Sequence, residues 1–280
     1  MLPCKQGINT MKKLNFKRIY IKEHIENKMS YSQIQKKYNI PRGTWDYYVR
    51  YKLGLSCDKR KTKVNDNYFN VIDTEEKAYI LGFLYADGYL ASDGRIGIRL
   101  NRKDKEIIYL IQKIICPDRK VEYTNNQNIK RSPQISLRFK SKKIYSRLEE
   151  LGFCVEKTKT SSNIFHNIPN QHKTDFIRGF TDGDGSVRYD KAKDSDYYKI
   201  SLSYCSGTDK ILRDIDSYLT KGKGTFYNKG SWWVLSYEKK DLVFKTVKQV
   251  YPVGITCYLK RKFNKAIKIK NLCDNIELTN

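Results

Sequence analysis

Two nine-residue segments, 97 positions apart, read alike. The first is Ile80-Leu81-Gly82-Phe83-Leu84-Tyr85-Ala86-Asp87-Gly88 and the second is Ile177-Arg178-Gly179-Phe180-Thr181-Asp182-Gly183-Asp184-Gly185. In each, small residues stand four apart on one helical face: Gly82 and Ala86, then Gly179 and Gly183. Small residues at that spacing let two helices approach to backbone contact. If the copies pack on each other, their C-terminal ends meet and Asp87 faces Asp184, each at the negative end of a helix dipole. Two carboxylates brought together with no His nearby share a proton or bind a divalent cation. Oxygen-only ligands with open positions suit Mg²⁺ or Mn²⁺. Taken singly, either segment would be ordinary helix packing followed by an Asp-Gly turn, so the duplication carries the argument. A calcium loop starting at Asp182 is excluded, because its sixth position is Val187 and its twelfth Lys193.

The chain around each copy recurs in one order. Glu75 to Ala86 is an apolar helix, and Asp93-Gly94 marks a hairpin. Arg95 to Asn101 alternates, with Ile96, Ile98 and Leu100 on one face and Arg95 and Arg99 on the other, as a half-buried strand requires. Asp104 to Ile115 is a helix and Lys120 to Thr124 a strand. Gln134 to Lys140 alternates again, with Gln134, Arg138 and Lys140 outward, and Ser141 to Leu151 is a helix stopped by Gly152. After a linker holding Asn167-Ile168-Pro169 come a helix (His172 to Gly183), strands (Ser186 to Asp190, Lys199 to Cys205) and a helix (Thr208 to Leu219). Strands at Gly224 to Asn228 and Trp232 to Glu238 and a helix from Lys239 to Val250 complete the second set. The chain is therefore α+β: two pseudo-symmetric αββαββα units over 64–152 and 172–270, joined by a linker at 153–171. A basic helix, Tyr258 to Lys270, closes the second unit, and 271–280 is a tail.

The first 63 residues hold sixteen Lys+Arg against four Asp+Glu. Phe16 to Lys28 reads as a basic helix. Ser30 caps a short helix to Tyr38, Asn39 to Thr44 is a turn, and Thr44 caps a helix ending at Gly54. This is a helix-turn-helix pattern, in which the last helix, with Thr44 and Trp45 at its start, enters a DNA groove. The alternative is a helical hairpin whose Trp and Tyr residues are core. A polar linker follows from Asp58 to Asp73.

The whole chain is strongly basic, at +25 with a pI near 9.6, which points to a polyanionic partner. Disorder is excluded, since 39% of residues are hydrophobic and the apolar positions are periodic. No stretch has the length of a membrane span and no signal peptide is present, so the expectation is a soluble intracellular protein without a membrane partner. The bias toward Lys, Asn, Ile and Tyr fits an AT-rich phage, bacterial or organellar genome. Seven scattered Cys without a CxxC pair argue against disulfides and structural zinc, and three His leave carboxylates, cations and hydroxyls to do the chemistry.

The paired segments resemble the motif of the LAGLIDADG homing endonucleases in their single-chain, two-motif form, over roughly Thr74 to Lys270. The resemblance implies a β-sheet saddle over double-stranded DNA, a long asymmetric site, a monomer, and metal-assisted hydrolysis of both strands, as in intron homing. Carried onto this chain, it makes Asp87 and Asp184 the metal-binding catalytic pair, with the carbonyls of Ala86 and Gly183 in the metal shells. It assigns DNA contacts to Arg95, Arg99, Gln134, Arg138, Arg188, Lys199, Ser201 and Ser203. Arg99 and Lys140 are its basic helpers for phosphorane charge, although Glu238 stands at the second-unit counterpart of Lys140. The sixth motif position is Tyr85 in one copy and Asp182 in the other. A non-cleaving nucleic-acid binder, either an intron RNA maturase or a DNA-binding regulator, is the alternative.

Overall fold

The computed structural model describes residues 14–55, 63–124, 132–154, 163–192 and 197–277. The chain divides into two compact units, Met1–Lys61 and Thr62–Asn280.

In the first unit, helix α1 (Phe16–Ile19) runs on through wider π-type turns at Tyr20–Glu26. Helix α2 (Tyr31–Lys37) starts with a capping box, Gln33 N donating to Ser30 Oγ and Ser30 N to Gln33 Oε1. Helix α3 (Arg42–Asp46) continues through Tyr47–Lys52 and stops before Gly54, whose φ of +59° suits glycine. It starts behind Pro41 rather than at Thr44, because the ring fixes φ at −58° and no side-chain cap is needed. Phe16, Ile34, Ile40, Trp45 and Val49 form its core. Glu23, buried there, accepts from Lys37 (2.8 Å), Tyr38 (2.7 Å) and Asn27 (3.0 Å), and these donors hold its carboxyl down to about 2.

The second unit contains the duplication. Its first half is α4 (Glu75–Asp87), β1 (Gly88–Leu90), β2 (Arg95–Asn101), α5 (Lys105–Ile115), β3 (Glu122–Thr124), β4 (Gln134–Lys140) and α6 (Lys142–Glu150). Its second is α7 (Lys173–Asp184), β5 (Gly185–Lys191), β6 (Tyr198–Ser206), α8 (Lys210–Thr220), β7 (Thr225–Asn228), β8 (Trp233–Tyr237) and α9 (Lys240–Val250). The antiparallel sheets share one strand order, β1-β2-β4-β3 and β5-β6-β8-β7. The α+β duplication is thus the architecture of this unit. Alternation explains each sheet's inner face: Ile96, Ile98, Leu100, Ile135, Leu137 and Phe139 are buried in one, Val187, Ile200, Leu202, Tyr204, Leu235 and Tyr237 in the other. Helix α4 is apolar all round and buried from Ala78 to Ala86, the pattern of a central helix.

Both expected linkers prove to be partly core. Tyr68, Phe69 and Ile72 are buried ahead of α4, and so are Ile164, Phe165 and Ile168 ahead of α7; residues 58–62 and 155–162 lie outside the described residues. These apolar residues are too sparse for a periodic pattern, yet they join the core of the helix pair. Tyr68 Oη donates to Glu76 of α4 at 2.9 Å, and the Phe165 ring packs on Phe176 of α7 with centroids 6.1 Å apart. The final helix, α10 (Lys260–Glu277), runs through most of the expected tail, and 278–280 lie outside the described residues. Among the described residues Cys116, Cys154, Cys205 and Cys257 form no disulfide, and no helix is long and apolar enough to cross a membrane.

Candidate active site

Helices α4 and α7 touch backbone to backbone. A Cβ built on Gly82 would lie 2.0 Å from the Phe176 carbonyl oxygen, and one on Gly179 2.0 Å from that of Tyr79. A Cβ on Gly183 would lie 2.3 Å from Ala86 Cβ and 3.1 Å from Asp87 Oδ2. The four small residues of the duplicated segments are therefore the contact surface. The Asp87 carboxylate lies against the residue that precedes Asp184.

The far ends of this helix pair are tied to the segment ahead of α10. Arg178, fully buried, donates to the carbonyls of Cys257 (2.9 Å) and Val250 (3.4 Å) and to Glu75 (2.8 Å) and Asp175 (2.9 Å). Glu75 also accepts from the amides of Thr256 (2.9 Å) and Cys257 (3.1 Å). Despite partial burial, these donors keep its carboxyl below the usual range. A buried guanidinium is tolerable only with its protons satisfied, which this network achieves.

At the ends of the two helices that carry Asp87 and Asp184, α10 supplies a cation. The Lys262 ammonium donates to the carbonyls of Thr181 (2.8 Å), Asp182 (2.8 Å), Gly183 (3.1 Å) and Gly185 (2.6 Å). It sets a positive charge on the negative end of the α7 dipole. Burial pushes its pKa down to about 8, against the attraction of Asp182 and Asp87. Asp182, at the sixth motif position, is buried and accepts from Tyr251 Oη (2.6 Å), Leu259 N (2.6 Å) and Tyr79 Oη (2.9 Å). Burial raises its carboxyl to about 6, and these donors and Lys262 resist the rise. Beside Lys262 opens a cavity of about 410 Å³ lined by Lys103, Gly183, Gly185, Ser186, Val187, Arg261, Lys262 and Lys265. Arg261 is paired with Asp104 at 2.7 and 3.0 Å, whereas Lys103 and Lys265 project their charges outward. The Cys205 thiol donates to the Asp184 carbonyl at 3.3 Å; burial and the charges of Asp184 and Asp87 push its pKa up.

The strand register sorts the other expected site residues. Gly88 pairs with Ile98, so Arg99 lies at the Asp87 end of its sheet; Lys140 pairs with Arg95 at the opposite end. The Lys140 ammonium donates to the Asp93 carbonyl at 2.9 Å and pairs with its carboxylate at 3.3 Å. It is a strand residue that braces the Asp93 turn, at the far end of the sheet from Gly88 and hence from Asp87. Arg95, Arg99, Gln134 and Arg138 share one outward face, and Arg188, Lys199, Ser201 and Ser203 share that of the second sheet. Arg95 pairs with Asp93 at 2.8 Å, Arg138 with Glu122, and Arg188 with Asp190 at 2.7 Å. Among the described residues Arg99 and Lys199 are exposed without such a partner. In the first unit Thr44 is half-buried, and Trp45 is fully buried in the core, so its indole presents nothing to a groove. The Gly183 carbonyl, expected in a metal shell, is engaged by Lys262.

Sequence reasoning missed Lys262, Arg261 and the polar role of Asp182. A signal for the first two was present. Lys260, Arg261 and Lys262 form the first turn of a helix, where the dipole disfavours cations. Such a local conflict marks residues whose partners are tertiary.

No family model matches the sequence. An uncharacterized protein of Methanocaldococcus jannaschii is 24% identical over 279 residues, spanning 91% of this chain and 93% of that protein. Among solved structures, a variant of I-SmaMI aligns with a TM-score of 0.52 at 13% identity, covering 71% of this chain and 92% of its own. I-SmaMI bound to cleaved DNA aligns at 0.50 and 14% identity, covering 71% and 90%. The LAGLIDADG meganuclease I-CpaMI, bound to uncleaved DNA, aligns at 0.50 and 15% identity, covering 72% and 92%. At such identities the likeness is one of fold: this chain has the two-unit architecture of the LAGLIDADG endonucleases.

Proposed function

We propose that this chain is a site-specific, divalent-metal-dependent endonuclease that cuts both strands of double-stranded DNA as a monomer. The observation that carries the reading is that Asp87 and Asp184 end two helices packed backbone to backbone, the Asp87 carboxylate lying against Gly183, next to a basic cleft. The fold shared with DNA-bound LAGLIDADG endonucleases supports it.

The donor set fits a hard cation. Asp87 and Asp184 are oxygen donors at two packed helix ends. Such a set leaves coordination positions for water and phosphate, as Mg²⁺ or Mn²⁺ prefers. A bound divalent ion supplies charge to the phosphoryl group and acidifies water. The protein's own groups do the positioning. The α4–α7 contact holds the two helix ends together, the cleft formed by Lys103, Arg261 and Lys265 receives a backbone phosphate, and Lys262 adds a positive charge beside it. Arg95, Arg99, Gln134, Arg138, Arg188, Lys199, Ser201 and Ser203 face the bases and phosphates along the two sheets. These two rows differ in composition, so the site they read is asymmetric. Ion pairs such as Arg188–Asp190 are exposed and give way to phosphate at little cost. In the first unit, the exposed side of α3, with Arg42, Tyr47 and Tyr51, makes a separate DNA contact, in place of Trp45.

The test uses the full chain and a library of duplexes. Asp87→Asn and Asp184→Asn each abolish double-strand cleavage while DNA affinity stays within about tenfold, or roughly 1.4 kcal/mol. Full cleavage by either variant overturns the assignment. Tight binding by a wild-type chain that cuts nothing with Mg²⁺ or Mn²⁺ assigns it instead to the non-cleaving binders, intron RNA among their targets.

A further inference from the structure

The Lys262 ammonium stands at a point where backbone oxygens converge as they do around a cation. It donates to the carbonyls on both sides of Asp184, Gly183 at 3.1 Å and Gly185 at 2.6 Å, and to two further carbonyls of the last turn of α7. Four acceptors surround a group with three protons, so the site offers more oxygen than an ammonium uses. The side chain is only 5% exposed, and its charge is answered by the protein rather than by water. Asp87 reaches the same ground from the other helix, Oδ2 lying 3.1 Å from the position of a Cβ on Gly183.

We propose that Lys262 is a resident counter-cation: it neutralises the joined ends of α4 and α7 and competes with a divalent metal for the oxygens around Asp184. The inference rests on the reading above, that Asp87 and Asp184 hold such a metal. A divalent ion sharing the Gly183 or Gly185 carbonyl with the ammonium would stand close to it, and two positive charges repel each other strongly where solvent is excluded. Metal loading therefore draws the ammonium off the Gly183 and Gly185 carbonyls, and the lysine sets how tightly the ion is held.

The experiment titrates Mn²⁺ into the full chain and into Lys262→Met, reading free Mn²⁺ by electron paramagnetic resonance, with no cleavage step. Methionine keeps an unbranched stem for packing and removes the charge. The variant binds Mn²⁺ roughly tenfold more tightly if the two cations compete. Equal or weaker binding by the folded variant overturns the inference while leaving the metal-dependent reading intact. A chain and a variant that both fail to bind Mn²⁺ overturn the two together. Should the variant not fold, amine acylation of the wild-type chain followed by mass spectrometry answers the same question. Mn²⁺ then raises the labelling of Lys262 relative to Lys140, and an unchanged ratio sinks the competition.

Discussion

The two halves of the second unit share one fold but fill their sixth motif position in opposite ways. Tyr85 packs its ring against Phe153, Phe176 and Phe180, with centroids 5.5 to 6.1 Å apart. Asp182 instead gathers two tyrosine hydroxyls and the Leu259 amide, and through them the segment leading into α10. The first half is finished by aromatic packing and the second by a polar knot that recruits a C-terminal helix. Duplication therefore fixes the helix contact and the two terminal acids, while neighbouring positions are free to join different parts of the chain.

The contact common to both halves breaks hardest. Gly179→Ala or Gly82→Ala inserts a methyl group into opposing backbone 2.0 Å away, with no flexible side chain to yield. The expected loss is about 4–5 kcal/mol, or failure to fold, seen as a fall in the urea midpoint. A milder loss in one variant alone would show the helix pair to be looser on that side. Next comes the exchange of chemistries. Tyr85→Asp buries a carboxylate among aromatic rings with no comparable donor set and costs about 3–4 kcal/mol by the same measurement.

Asp182→Asn is expected to cost less, about 1–3 kcal/mol, because one amide oxygen replaces a carboxylate serving three donors. Its pH dependence sharpens the comparison. Asp182 is raised from 3.8 to about 6, so it holds a proton in the folded state that the unfolded chain has released. Its contribution is complete below the unfolded value and lost as pH rises through about 6. Between pH 4 and 6 the wild type should lose stability relative to Asp182→Asn, whereas Tyr85→Leu keeps the wild-type slope. Parallel curves for all three would remove the polar knot as a titrating element.

What could be read in advance follows from how local each cause is. The strand ranges Arg95–Asn101 and Gln134–Lys140 are legible because alternation is a property of adjacent residues, and the α4–α7 contact because small residues four apart define a helix face. The Ser30–Gln33 box is local as well. Buried Trp45 was ambiguous because amphipathic helices place aromatics on either face, and only tertiary packing decides which. Lys140 illustrates the other limit: its outward direction is set by the pleat, but its distance from Asp87 is set by the register with β2 and β1, which no single strand encodes. Lys262 depends on a contact spanning about 80 positions, from α10 back to α7, and only the misplaced cations of its first helical turn hinted at it.

The smallest expected effect separates the sheet faces. Arg99 is exposed with no ion-pair partner among the described residues, whereas Arg188 shares its charge with Asp190 at 2.7 Å. Recruiting Arg99 to DNA requires breaking nothing, and recruiting Arg188 leaves Asp190 exposed near phosphate. Arg99→Ala should therefore weaken duplex binding by about 1–2 kcal/mol and lower the salt slope by roughly one counterion, and Arg188→Ala by less. Asp190→Ala reverses the order, since it frees Arg188 and removes a like charge from the interface. Binding isotherms at several salt concentrations read all three. A larger loss for Arg188→Ala than for Arg99→Ala would mean that the second sheet carries the tighter half-site despite its neutralised arginine, and the difference in polar partners would then no longer predict which half grips the DNA.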